Sequence, residues 1–316
     1  MTARVPPRDP ADFGDLTGRT VVVTGADRGL GFETAAALAA HGAFTVLACR
    51  DRTRARRAAE RIRDRTPEAT VDVLVVDLAD LASVADAADR FHAVSDRLDV
   101  LVNNAGVMGC PRRLTADGFE LQFATNHLGH FALTGRLLDL LLTTPGSRVV
   151  TVTSRVHRLA RLHLEDLTGG GRYRRYAVYA RTKLANLLFT EELARRLEAA
   201  GTATLALAAH PGWASTGIVA TGPATDRSVA VGRAARLLAQ LGRPPAAGAW
   251  PILAAATWPG ATSGELFGPG RGRRPPVVER PGRRARRGDD ARALFEASER
   301  LTGVRYDLGA PERRAA

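Results

Sequence analysis

Short apolar runs alternate with longer amphipathic ones along most of this chain. The β-branched run Arg19–Thr24 reads as a strand, and the alanine-rich stretch Phe32–His41 that follows it has helical spacing. The pattern repeats with strand Phe44–Ala48, charged helix Thr53–Arg65, strand Val71–Val76 and helix 81–95. Strand Val100–Val102, long helix Asp117–Leu142, strand Arg148–Thr153, helix Tyr176–Leu197 and strand Thr202–Ala209 complete it. Buried parallel strands read as nearly continuous apolar runs, and helices between them carry one apolar face. The order predicts an α/β fold, a doubly wound parallel sheet with helices on both faces. No internal repeat or linker divides it. One domain is expected over 17–268, after a polar N-terminal tail at 1–16. An Arg/Pro-rich appendage at 269–316, closing in a helix at Ala291–Leu301, is expected to add no core of its own.

In such a sheet ligands bind at the carboxyl ends of the strands. The first strand runs into Gly25-Ala-Asp-Arg-Gly29-Leu-Gly31 and then a helix, the context in which a glycine turn cradles a pyrophosphate. This predicts a Rossmann-type three-layer α/β/α arrangement. The next strands end at Cys49-Arg50, Asp77-Leu78, Asn103-Asn-Ala-Gly106, Ser154 and His210-Pro-Gly212. Asn126 stands inside the predicted long helix, where asparagine is unfavourable unless its amide is otherwise engaged.

Composition changes this picture little. Apolar residues make up 45 % of the 316 and charged residues 25 %, as in soluble globular proteins. No window holds the run of about 20 apolar residues that a membrane span needs. The N-terminal stretch has no apolar signal core, and two cysteines build no disulfide framework, so a cytoplasmic protein is expected. The net charge of +12 raises nucleic acid as a partner, but the arginines are scattered among acids and aromatics are only 5 %, so none is expected. The one dense patch, 271–287, has eight arginines against Glu279 and reads as a solvated tail.

Tyr179 and Lys183 change the picture more. Four residues apart on a helix, they stack on one face, and an ammonium there would draw the phenol pKa from about 10 toward neutrality. Lys183 is also the only lysine among 45 basic residues. His127 and His130 have helical i, i+3 spacing, but nothing completes a metal set, so no metal is expected. The nucleophile elbow G-x-S-x-G that would recruit Ser154 and His157 for hydrolysis is absent.

With these residues placed, the chain resembles the short-chain dehydrogenase/reductase family from about Thr17 to Gly268. The motifs are TGADRGLG (24–31), NNAG (103–106), Ser154 with YARTK (179–183), and HPG (210–212). TNHLGHF (125–131) and ELFGPG (265–270) look most like its retinol-dehydrogenase-like branch. The resemblance implies a hydride-transferring oxidoreductase acting on a small-molecule carbonyl or alcohol. In it Tyr179 is the general acid or base, and Lys183 lowers the phenol pKa and meets the nicotinamide ribose. Ser154 holds the substrate oxygen, and Asn126 positions a water toward Lys183. It further implies that Gly25, Arg28, Gly29, Leu30 and Gly31 line the cofactor, with Asp77 and Leu78 at the adenine. Asn104 would lie by the adenosine ribose and Thr216 at the nicotinamide carboxamide, with Ala105, Gly106, Pro211 and Gly212 as further cofactor contacts. The serine–tyrosine spacing of twenty-five residues is longer than in compact members. Ser154 is preferred to Thr153, which should face the other side of the strand.

Arg28 and Arg50 would converge where an NAD enzyme keeps a carboxylate, which favours NADP(H) over NAD(H). Asp51 is the competing carboxylate and is expected to point outward. Loops His157–Arg175 and Trp213–Ser228 are expected to select the substrate, and a homodimer or homotetramer is the expected assembly. A cofactor-binding sensor without turnover is the alternative on the same fold. An anion-binding adaptor built on 271–287 is a third reading.

Overall fold

A computed structural model describes residues 13–164, 173–212, 244–271 and 274–308. The β-branched runs form strands β1 (Thr20–Thr24), β2 (Phe44–Cys49), β3 (Val71–Val75), β4 (Val100–Asn103), β5 (Arg148–Val152) and β6 (Leu205–Ala209). Between and after them lie helices α1 (Gly29–Ala40), α2 (Arg52–Arg65), α3 (Leu81–His92), α4 (Leu121–Phe123), α5 (Gly129–Arg136), α6 (Leu138–Thr143) and α7 (Arg175–Ala199). Beyond the predicted elements come α8 (Pro245–Thr257), β7 (Leu266–Gly268) and β8 (Val277–Glu279), and the helix expected at Ala291–Leu301 is α9 (Gly288–Thr302). Among the described residues the sheet has eight strands in the order β3-β2-β1-β4-β5-β6-β7-β8. All pairs are parallel except β7–β8.

Alternation along each apolar strand sorts its side chains onto two faces. Val21, Val23 and Leu47 pack with Phe32, Leu38, Ile62 and Ile252 from α1, α2 and α8. Val22 and Val46 pack on the other face with Phe91, Phe131, Phe189 and Phe295 from α3, α5, α7 and α9. The strand order reverses between β1 and β4, which opens a crevice at their carboxyl ends.

Three expectations are corrected. The predicted helix Asp117–Leu142 begins only at Leu121, because Gly118 is left-handed at φ +81° and Glu120 caps the first turn by accepting from the Phe123 N–H at 2.8 Å. Its next turn, Ala124–Leu128, is π-helical, and the run breaks again at Leu137.

The second correction concerns 269–316, which is no appendage in its described part. Phe295 and Tyr306 are buried, and Phe131, Phe295 and Tyr306 have ring centroids 4.8 to 5.0 Å apart. The Tyr306 hydroxyl donates to the Phe131 carbonyl at 2.7 Å.

The arginine-rich 271–287 stretch is likewise no solvated tail. Val277–Glu279 pairs with β7, and Arg283–Arg286 forms a 3₁₀ turn against the body. No helix among the described residues is long and apolar enough to cross a membrane.

Candidate active site

A cleft of about 460 Å³ lies at the strand ends. Gly25, Arg28, Gly29, Leu30, Gly31, Arg50, Asp77, Leu78, Asn104, Ala105, Gly106, Pro211 and Gly212 line it, as do Ser154, Tyr179 and Lys183. Thr216 and the segment Trp213–Ser228 lie outside the described residues, as does part of the loop 157–175.

Thr24 joins the first and fourth strand ends. Its hydroxyl oxygen accepts from the N–H groups of Asn104 and Ala105, both at 2.9 Å, and Asn104 Nδ2 donates to the Thr24 carbonyl at 2.7 Å. A side chain at Gly31 would run into the Gly25 carbonyl and Asn104 Nδ2, so the glycine lets the turn close. A Cβ at Gly29 would meet no protein atom, which leaves the opening of α1 clear for an anion against its free N–H groups.

At the end of β2 the charges divide in a way the sequence did not show. Asp51 is not turned away: it lines the cleft and caps α2, accepting from the Arg54 N–H and from Arg54 Nε, each at 3.0 Å. The bond from the Arg54 backbone holds its carboxyl below the usual range. Arg54, one turn into α2, also lines the cleft; in the sequence it is one of several arginines of a charged helix and stands beyond the strand end. Arg54 sits between Asp51 at 3.0 Å and Asp27 at 3.7 Å, which leaves Arg28 and Arg50 as the less engaged cations. Arg50 is 67 % exposed, and among the described residues its one ion pair is a 3.8 Å contact with Asp77. Arg28 is exposed and forms no ion pair among the described residues. Burial pushes the Cys49 thiol up to about 12, so the strand end carries no charge of its own. The glycine turn, the open helix terminus and two available guanidiniums fit a dinucleotide bearing a 2′-phosphate.

The proton-transfer end is built by β5 and α7. Ser154 follows β5 with its hydroxyl on the Tyr179 phenol. Thr153, by contrast, donates to the Lys183 carbonyl at 2.7 Å and is committed there. Lys183 lies 5.8 Å from the centroid of the Tyr179 ring and donates to the Val152 carbonyl at 3.0 Å.

Here the expected shift is reversed. Burial pushes the Tyr179 phenol up to about 12, with the Ser154 bond pulling the other way. Burial also brings Lys183 down to about 8. The ammonium is bonded to a carbonyl rather than to the phenol, so desolvation outweighs the attraction.

Asn126 stands behind the cleft wall. Its Oδ1 accepts from Val107 N–H at 2.7 Å, and its Nδ2 donates to Val107 O at 2.9 Å and Thr182 Oγ1 at 3.0 Å. The amide in the π-helical turn therefore holds the Gly106–Val107 backbone, while Oδ1 keeps a second lone pair beyond its bond to Val107. His130 Nδ1 donates to the Asn126 carbonyl at 3.2 Å and its Nε2 accepts from the Thr24 hydroxyl at 2.9 Å. His127 Nε2 and Ser298 Oγ share a hydrogen bond at 2.9 Å. Both rings are packing groups, and no cluster of three metal-ligating side chains occurs among the described residues.

Comparison with known proteins agrees with this geometry. The short chain dehydrogenase family profile matches residues 19–226. Retinol dehydrogenase 14 of Mus musculus is 46 % identical over 217 residues, covering 66 % of this chain and 64 % of that protein. Retinol dehydrogenase 11 of Homo sapiens is 46 % identical over 204 residues, covering 65 % and 64 %. The chain thus spans about 64 % of the length of these relatives. The crystal structure of an uncharacterized protein from Mycobacterium paratuberculosis superposes with a TM-score of 0.76 at 40 % identity, over 94 % of this chain and 98 % of that one. A protein of Escherichia coli CFT073, solved as a complex with NADPH, shares the fold at a TM-score of 0.63 and 23 % identity, over 81 % and 98 %. The chain belongs to the short-chain dehydrogenase/reductase family, in its retinol-dehydrogenase-like branch.

Proposed function

We propose that this protein is an NADP(H)-dependent oxidoreductase that interconverts a carbonyl and an alcohol. One observation carries the reading: a single cleft has Tyr179 and Ser154 at its chemical end and Arg28 and Arg50 beside its glycine turn. The two guanidiniums would hold the 2′-phosphate and the opening of α1 the pyrophosphate. Bound there, NADP(H) supplies or accepts the hydride, and the protein supplies position and a proton.

Ser154 holds the substrate oxygen by its hydroxyl. Tyr179, protonated throughout the neutral range because it is buried, donates its proton to that oxygen as negative charge develops on it. In the opposite direction the phenol takes the proton back from the alcohol. Lys183 in its charged form favours the phenolate left behind. Val107, Met108, Leu121 and Val156 make the remaining wall largely apolar, which suits an apolar substrate body. The names of the curated relatives point to retinol and related alcohols as the first to try. The protein is proposed to act in the cytoplasm.

The test is steady-state kinetics with NADPH and NADH over a panel of aldehydes and ketones that includes retinaldehyde. NADPH is expected to give the higher kcat/KM. Arg50→Asp should lower it for NADPH by roughly tenfold or more while leaving NADH turnover little changed. A wild-type preference for NADH would overturn the cofactor assignment.

A further inference from the structure

Two buried histidines outside the proton-transfer set tie the cleft to the C-terminal strand. His210 follows β6 and precedes Pro211-Gly212 at the cleft wall. Its Nδ1 accepts the Gly212 N–H at 3.0 Å, so the proton of the neutral ring sits on Nε2. That nitrogen faces Glu279 Oε1 of β8 at 3.3 Å, without the alignment of a full hydrogen bond. A side chain on Gly268 would overlap both groups, so the glycine in β7 is what lets them meet.

His157 makes the matching link from the other side. It lies three residues after Ser154, in the 3₁₀ turn Arg155–Leu159. Its Nδ1 donates to the Ser154 carbonyl at 2.7 Å, which leaves Nε2 to accept the Gly282 N–H at 3.2 Å. The two rings therefore carry their protons on opposite nitrogens. Each connects a turn of the active site to the segment 279–282.

We propose that this segment is a positioning element for the active site: Glu279 orients His210 and through it the Pro211-Gly212 turn, and Gly282 orients His157 and through it Ser154. The proposal rests on the reading of the cleft as a dinucleotide site. The groups facing His210 are Glu279 on β8 and Arg155, His157 and Arg158 on the 3₁₀ turn. The two guanidiniums lie 3.8 and 3.9 Å from Glu279 Oε2 and hold that carboxylate in place.

A pH dependence follows. Burial keeps His210 below its ordinary value, with Glu279 opposing. Protonation of Nδ1 removes the acceptor of the Gly212 N–H. Cofactor affinity should therefore fall as pH drops through a value below the usual histidine range. Glu279→Gln removes the carboxylate that favours the cation, so this acid limb should move to still lower pH.

The test uses the full chain. Imidazole ¹⁵N shifts report the tautomers without any cofactor: His210 should be Nε2–H and His157 Nδ1–H. NADPH and NADH titrations then compare wild type with two substitutions. His210→Phe keeps a ring and removes the acceptor. His210→Asn offers a side-chain oxygen to the N–H two residues on, as in an Asx turn. His210→Phe should weaken the bound cofactor about tenfold, and His210→Asn should recover most of that loss and show no acid limb. An Nδ1–H tautomer at His210, or His210→Phe binding like wild type, would overturn the proposal. If His210→Phe does not fold, the tautomers and the Glu279→Gln limb decide. Wild type that binds neither dinucleotide would refute the cofactor reading instead, and the tautomers would still decide the positioning role.

Discussion

Lys183 shows how one side chain can be tuned by where the fold puts it. Desolvation brings its pKa to about 8, and the Val152 carbonyl holds it beside the ring of Tyr179. The ammonium is therefore present at neutral pH and lost just above it. Carbonyl reduction should decline as pH rises through about 8, since loss of that charge makes the phenolate harder to leave behind. Lys183→Arg keeps a cation at any accessible pH. A pH–rate profile checks this: the variant, however reduced in rate, should lose the decline near 8. The residue types of this pair were legible in the sequence. The sense of the tyrosine shift was not, because i, i+4 spacing says that two groups share a face and nothing about how deeply that face is buried.

Among elements, β1 depends on a single carboxylate. Asp99 accepts from the Thr20 N–H at 2.8 Å, from Arg19 at 2.8 Å, and from Arg97 at 2.9 and 2.8 Å. Burial works against its charge, yet the Arg97, Thr20 and Arg19 bonds together hold it below its ordinary value. A depressed carboxylate stabilises the fold above its unfolded pKa of about 3.9 and loses that contribution as pH falls through the lower folded value. Asp99→Asn should cost about 2–4 kcal/mol at neutral pH, measured by denaturant unfolding, and the gap to wild type should close in strong acid. The six parallel strands before residue 210 were legible because each is a buried apolar run. Helix α8 was not, since Pro251 inside it reads as a breaker. Nor was β8, whose three residues lie among arginines and gain strand geometry only by pairing with β7.

At the scale of the whole molecule, the C-terminal region belongs to the body it was expected merely to follow. Helix α9 packs on α7, and Phe295 closes an aromatic cluster with Phe131, Phe189 and Tyr306. Phe295→Ala should cost about 3–5 kcal/mol and lower the melting temperature of the whole chain in one transition. A separate appendage would unfold first and leave the rest unchanged. The sequence hid this because the cluster is assembled from three distant segments, none of which is distinctive alone. The strand-end motifs were easier to read, since a parallel sheet brings every such end to one edge. What that edge does is tested most directly by Tyr179→Phe, followed as NADPH-dependent carbonyl reduction alongside NADPH binding. Removing the phenol should cut turnover by a factor of about 100 to 10,000 with cofactor affinity retained. Near-normal turnover in the variant would contradict the assignment of Tyr179 as the proton donor.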